Sequence, residues 1–167
     1  MIKAIYPGTF DPLHYGHLDI IERASEIFDE LTVAVFDRPA KKLMFSTVER
    51  ISMIEESISS YNNVRVDAYQ SLTVDYARKL GARVIVRGLR VFSDFEFEFR
   101  MALTNKRLAP EIEMVNLMTR EEHAFLSSTT VKEVAALAGD ISSMVPIHVM
   151  QALDARIVDT ASKSQGE

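Results

Sequence analysis

Short apolar runs alternate with amphipathic segments along the whole chain. Runs over 2–6, 31–36, 64–68, 84–86 and 113–117 are rich in valine and isoleucine and nearly continuous in apolarity. That pattern predicts parallel strands covered on both faces. Between them the period lengthens to that of a helix. Over 14–28, Leu18, Ile21, Ala24, Ile27 and Phe28 share one side, and Asp19, Glu22, Arg23 and Glu26 the other. Ser46 with Glu49 forms a capping-box pair that starts a second helix reaching about residue 60. A third helix over 72–80 ends where Gly81 can take the left-handed position, and a helix over 127–138 ends similarly at Gly139. A last helix carries Pro146 in its first turn and reaches about residue 158. The segment Asp94-Phe95-Glu96-Phe97-Glu98-Phe99 alternates with period two, so a strand is open to it. Helix is preferred, because Ser93 and Glu96 form another capping-box pair and good helix formers follow to Lys106.

Strands alternating with helices imply right-handed crossovers and an α/β fold: a doubly wound, five-stranded parallel sheet. No repeat or linker divides the chain, so the expectation is one domain over 1–158 and a flexible polar tail over 159–167. The length of 167 residues suits a single core. A net charge of −5 argues against nucleic acid or an anionic membrane as partner. Apolar stretches such as Val33-Ala34-Val35-Phe36 fall far below the ~20 residues that span a bilayer. The chain goes straight into a strand without an apolar leader, and it has no cysteine. Both fit a cytoplasmic location, and the second excludes disulfides and thiolate metal sites.

In open α/β sheets ligands bind beyond the carboxyl ends of the strands. Thr9, Phe10, His14 and His17 follow the first strand, and Arg38, Lys41 and Lys42 the second. Ser71, Leu72 and Thr73 follow the third; Arg87, Gly88 and Arg90 the fourth; and a longer loop ending in Ser127-Ser128-Thr129-Thr130 the fifth. A tight Pro7-Gly8 turn feeding a helix with two histidines one turn apart is a seat for phosphate. Neither Gly-x-Gly-x-x-Gly nor Gly-x-x-x-x-Gly-Lys-Ser/Thr is present, which disfavours a dinucleotide site and a P-loop.

His14-Tyr15-Gly16-His17 matches the His-x-Gly-His motif of the nucleotidyltransferase superfamily, and Ser127-Ser128-Thr129-Thr130 resembles its hydroxyl-rich second motif. With residues 6–11, 41–45, Arg87-Gly88-Leu89-Arg90 and 94–98, the chain resembles the bacterial phosphopantetheine adenylyltransferases as far as about Leu153. The resemblance implies their Rossmann-like fold and reversible transfer of AMP from ATP to 4′-phosphopantetheine, giving dephospho-coenzyme A and pyrophosphate. It implies in-line attack without a covalent enzyme intermediate, with coenzyme A as a further candidate ligand. By that resemblance His17 contacts the ATP α-phosphate and stabilises the transition state, with Lys41 as its catalytic partner. Thr9, Lys41, Thr73 and Arg87 hold phosphopantetheine. Thr9, Phe10, His17, Gly88, Leu89, Arg90, Glu98 and the run His123, Ala124, Phe125, Leu126, Ser127, Ser128 and Thr129 hold ATP. Mg²⁺ accompanies the nucleotide phosphates with few protein ligands. The family's homohexamers would also cover some of Phe95, Phe97 and Phe99, which cannot all enter one core.

Plainer roles stand beside these. Two histidines at i, i+3 often only shape a turn, although no His-Glu-x-x-His or cysteine set suggests zinc. Arg87 could cap a strand end by pairing with a carboxylate such as Asp94, and the Ser127 run is first of all a helix cap. Lys42 reads as solvated, Tyr15 as leaning away from the phosphates, and His123 as a ring that could face adenine. A cytidylyltransferase, a nicotinate-mononucleotide adenylyltransferase and a non-catalytic nucleotide or coenzyme A sensor are the alternatives.

Overall fold

The computed structural model describes residues 1–37 and 42–164, with side chains to residue 159. Five strands, β1 (Lys3–Gly8), β2 (Glu30–Phe36), β3 (Val64–Tyr69), β4 (Val84–Leu89) and β5 (Glu113–Met118), form one parallel sheet in the order β3-β2-β1-β4-β5. The helices among the described residues are α1 (Tyr15–Ile27), α2 (Thr47–Ile58), α3 (Thr73–Leu80), α4 (Phe92–Leu108), α5 (Ser128–Ala136) and α6 (Ile147–Ser164), with a 3₁₀ turn at Glu121–His123.

Alternate strand residues divide the core between two faces, as the two-residue period of a strand requires. Ala4, Tyr6, Leu31, Val33, Val35, Val84 and Val86 join the larger cluster with α1, α2, α5 and α6. Ile5, Ala34 and Ile85 face the other way, onto Val74, Ala77, Ala109 and Ile112. Covering both faces explains the continuous apolarity of the three central strands. The outer strand β3 alternates half-buried Val64 and Val66 with exposed Arg65 and Asp67.

The ends of several elements differ from expectation. β1 and β4 run on through Gly8 and Leu89, so Arg87 and Gly88 close a strand instead of following one. Parallel pairing of β4 with β5 continues to Leu89–Met118 and carries them along. Segment 94–99 is helical, but α4 opens two residues earlier than the Ser93 pair suggests, with Val91 at the cap and no side-chain cap bond. Gly81 closes α3 with φ 68°, whereas after α5 the left-handed residue is Ala138 (φ 57°), not Gly139. α6 extends to Ser164, past the expected end at 158, through positions read as a loose tail.

One irregularity shapes the site. β1 pairs with β2 over six residues, from Lys3–Glu30 to Gly8–Val35, but with β4 over two, Ala4–Val84 and Ile5–Ile85. Beyond Ile5 the central strands part, at the point where the chain switches direction across the sheet. Such a crevice is where open α/β sheets bind ligands.

Candidate active site

The turn after β1 is built around Phe10. Its backbone takes φ 52° and its ring folds back over Gly8, where an added Cβ would lie 2.8 Å from Phe10 Cζ. Only glycine lets the ring approach so closely. Buried there, Phe10 meets Tyr6 and His17 edge-on, with ring centres 5.5 and 4.9 Å away. Asp11, also buried, accepts bonds from Met44 N–H, Phe45 N–H and Lys132 Nζ, tying the turn to the segments before α2 and within α5.

His14 caps α1 and lies beneath His17, with ring centres 3.6 Å apart and planes 22° off parallel. The His14 backbone N–H donates to His17 Nδ1 at 3.3 Å. A ring nitrogen that accepts carries no proton, so the neutral His17 ring is protonated at Nε2. Burial, with Arg90 and His123 nearby, pulls the His14 pKa down to about 3, so that ring stays neutral at physiological pH.

Across the crevice Arg87 donates through Nε and Nη2 to the buried Glu98 carboxylate, at 2.9 and 2.7 Å, and through Nη1 to Pro7 O at 2.6 Å. That last bond spans the gap where β1 and β4 part. Burial alone would favour losing the Arg87 proton, but the bonds and charge of Glu98 reverse this and hold its pKa above the ordinary arginine value. Arg90 donates through Nη1 to Leu126 O at 2.6 Å and through Nε to Asp94 at 3.1 Å. Burial would raise the Asp94 pKa, yet the Arg90 bonds keep it below the usual carboxylate value. The carboxylate that pairs with Arg87 is therefore Glu98, and Asp94 belongs to Arg90. Ser127 caps α5, its Oγ accepting from Thr130 N–H at 3.0 Å.

Two cavities open from this crevice, of about 340 and about 200 Å³. Thr9, Phe10, His17, Gly88, Arg90, Glu98, Ser127, Ser128 and Thr129 line the larger. Thr9, Thr73, Arg87 and Glu98 line the smaller, and Pro7, Gly8, Thr9, Arg87 and Glu98 form their common wall. Lys41 and Arg38 lie outside the described residues. Of the remaining candidates, Leu89 and Leu126 have buried side chains outside the cavity lining, and Leu126 takes part through its carbonyl oxygen. His123, Ala124 and Phe125 also lie off the lining; Phe125 is exposed, and the His123 ring faces Tyr15 at 6.2 Å.

Thr119 also lines the larger cavity, and Tyr69, Met101, Asn105 and Met114 the smaller. Thr119 directly follows β5 and could have been found by the strand-end rule. Met101, Asn105 and Met114 sit inside α4 and β5, where that rule does not look.

Fold and site together define a nucleotidyltransferase domain, and the cytidylyltransferase-like family model matches residues 5–134. A solved structure from Vibrio parahaemolyticus, provisionally described as a nicotinate-nucleotide adenylyltransferase, shares the fold with TM-score 0.68 at 21% identity, over 92% of this chain and 99% of that one. Within this class the chain belongs to the phosphopantetheine adenylyltransferases. The enzyme of that name from Alkaliphilus metalliredigens is 52% identical over 92% of this chain and 98% of its own. The one from Herpetosiphon aurantiacus is 54% identical over 92% and 95%, and that from Thermosynechococcus vestitus 50% over 97% and 96%.

Proposed function

We propose that the enzyme transfers AMP reversibly from ATP to 4′-phosphopantetheine, yielding dephospho-coenzyme A and pyrophosphate. The observation that carries this reading is the pair of cavities meeting at a wall that holds Thr9 and Arg87. ATP occupies the larger cavity, against His17, Arg90 and the Ser127–Thr129 hydroxyls. The acceptor lies in the smaller, with its phosphate at the common wall beside Thr9, Thr73 and Arg87. One acceptor phosphate oxygen attacks the α-phosphorus, and the bond from that phosphorus to the pyrophosphate oxygen breaks. The attacking oxygen is already anionic, so no general base is required. The rate comes from aligning two polyanions and stabilising charge at the α-phosphate, where protonated Nε2 of His17 is the donor. Lys41, by the resemblance, holds and orients the incoming phosphate. Glu98 acts through Arg87.

Among the described residues no three of His, Asp or Glu gather into a metal-binding group. The cleft carboxylates Asp94 and Glu98 are already engaged by arginines. These residues fit an Mg²⁺ held by nucleotide phosphate oxygens and water, which would offset negative charge there. A homohexamer is the assembly the resemblance implies. What supports self-association is α4, where Phe92, Phe95, Phe97, Phe99 and Leu103 are all exposed. A cytoplasmic location fits a chain without cysteine whose described helices are too short or polar to cross a membrane.

The test is ATP with 4′-phosphopantetheine and Mg²⁺, followed by mass spectrometry for dephospho-coenzyme A and by pyrophosphate release. Turnover with nicotinate mononucleotide or with CTP, and none with this pair, would overturn the assignment. Light scattering of wild type and Phe95→Glu tests the assembly: a multimer that the substitution dissociates is the expected result.

A further inference from the structure

Arg50, in the first turns of α2, is fully buried, and the proposed reaction leaves its charge unused. Its bonds go to neutral acceptors. Nη1 donates to Thr9 O at 2.7 Å and Phe36 O at 3.0 Å, and Nη2 to Thr47 Oγ1 at 2.9 Å. Burial pulls its pKa below the ordinary arginine value, while Asp11 and Asp37 act in the opposite sense. A buried charge is a poor device for stability alone, because apolar packing of similar volume often does as well. Its placement points elsewhere.

The parallel ladder of β1 and β2 ends at Gly8–Val35, and Thr9 and Phe36 are the next residues of the two strands. Arg50 joins their carbonyls where backbone pairing stops, so it continues the sheet by one side-chain rung. Thr9 then lines both cavities. A cation bonded to the Thr9 carbonyl also polarises the Thr9–Phe10 peptide, making its N–H a stronger donor. We infer that Arg50 is a positioning residue for the anion seat, fixing Thr9 at the common wall and placing positive charge behind the turn. The inference rests on the proposed reaction, and it goes beyond it in naming what holds the turn to which both reactants bind.

Arg50→Lys keeps the charge but cannot reach all three acceptors. Thr47→Val keeps the guanidinium and removes one of them. Both variants, checked for cooperative melting, should lower kcat per folded molecule, Arg50→Lys by roughly 10- to 10²-fold and Thr47→Val by about 2- to 10-fold. KM for ATP and for phosphopantetheine should rise together, because Thr9 faces both. A fall in melting temperature with wild-type kcat and both KM values would overturn the inference, and if Arg50→Lys fails to fold, Thr47→Val decides. If wild type makes no dephospho-coenzyme A, the proposed reaction has failed, and calorimetry with inorganic pyrophosphate decides for Arg50. Weaker binding by Thr47→Val or Arg50→Lys then supports it, and equal binding sinks it.

Discussion

The two cavities share a wall and differ in almost everything else. The larger is lined by His17, Arg90, Asp94, Thr119 and the hydroxyls of Ser127, Ser128 and Thr129. The smaller is lined by the rings of Phe36, Tyr69 and Phe97 and the thioethers of Met101 and Met114, with one amide, Asn105. Fixed charges and donors suit a polyanion whose position must be exact for chemistry. Rings and flexible thioethers suit a long uncharged arm that must be gripped along its length. On the proposed reaction, the difference assigns activation to one side of the crevice and measurement of the acceptor to the other.

Losing the activating group should have the largest effect. His17→Ala should lower kcat by ~10²–10³ with ATP binding largely in place, as when one charge-stabilising donor is removed. Steady-state kinetics beside calorimetric ATP titration checks this. Unchanged kcat would remove His17 from the chemistry and break the contrast at its root.

The wall should come next. Glu98→Gln leaves Arg87 without its two-pronged carboxylate partner. Charge-assisted bonds of this kind contribute more than neutral ones, so kcat/KM should fall roughly 10- to 10²-fold for both substrates. A loss confined to one substrate would show that the cavities do not share this wall in function. Lys41→Ala sharpens the same point: it should lower kcat and weaken the acceptor more than ATP, and equal weakening would move it off the acceptor side.

A change inside the smaller cavity should be milder and one-sided. The Tyr69 hydroxyl lies 3.0 Å from Thr73 Oγ1. Tyr69→Phe removes one neutral bond, so KM for phosphopantetheine should rise about threefold while KM for ATP stays put. A shift in the ATP value instead would place Thr73 with the nucleotide.

Legibility in the sequence follows the same division. Residues of the polar side stand where strands end, and a rule about strand ends finds them: Thr9, His17, Arg90 and Ser127–Thr129 are all readable, and Thr119 is hidden only because the apolar run stops at 117, one residue short of the end of β5. The apolar side is assembled from the interiors of α4 and β5, where Met101 and Met114 look like any core methionine. Glu98 was readable as a site residue but not as the partner of Arg87, because the alternation of 94–99 hides which carboxylate turns inward. Arg50 gave no signal. An arginine in an amphipathic helix is ordinarily solvated, and only the meeting of β1, β2 and α2 in three dimensions buries it. The sheet was legible because its central strands are apolar on both faces, whereas the extension of α6 to Ser164 passes through polar residues that carry no helical stripe.

The last difference between the cavities is absent at pH 7 and emerges only in acid. The larger cavity contains a buried histidine, His14; the smaller is lined by none. In the unfolded chain His14 takes up a proton near pH 6.5, but in the folded protein not until about 3. Between those values the unfolded state binds the extra proton, so His14 makes stability rise with pH and fall as acid is added. Above about 6.5 it contributes no pH dependence. Within the window the loss reaches up to ~1.4 kcal/mol for each pH unit. Denaturant unfolding of wild type and His14→Thr from pH 7.5 to 4 measures it by difference, which cancels the carboxylates common to both. The variant should start less stable, having lost the ring stacked on His17, so the slope and not the intercept is diagnostic. A flatter acid limb in His14→Thr is the expected outcome. Parallel limbs would mean that the folded protein accommodates a charged ring beneath His17, and that the larger cavity is wetter than its geometry implies.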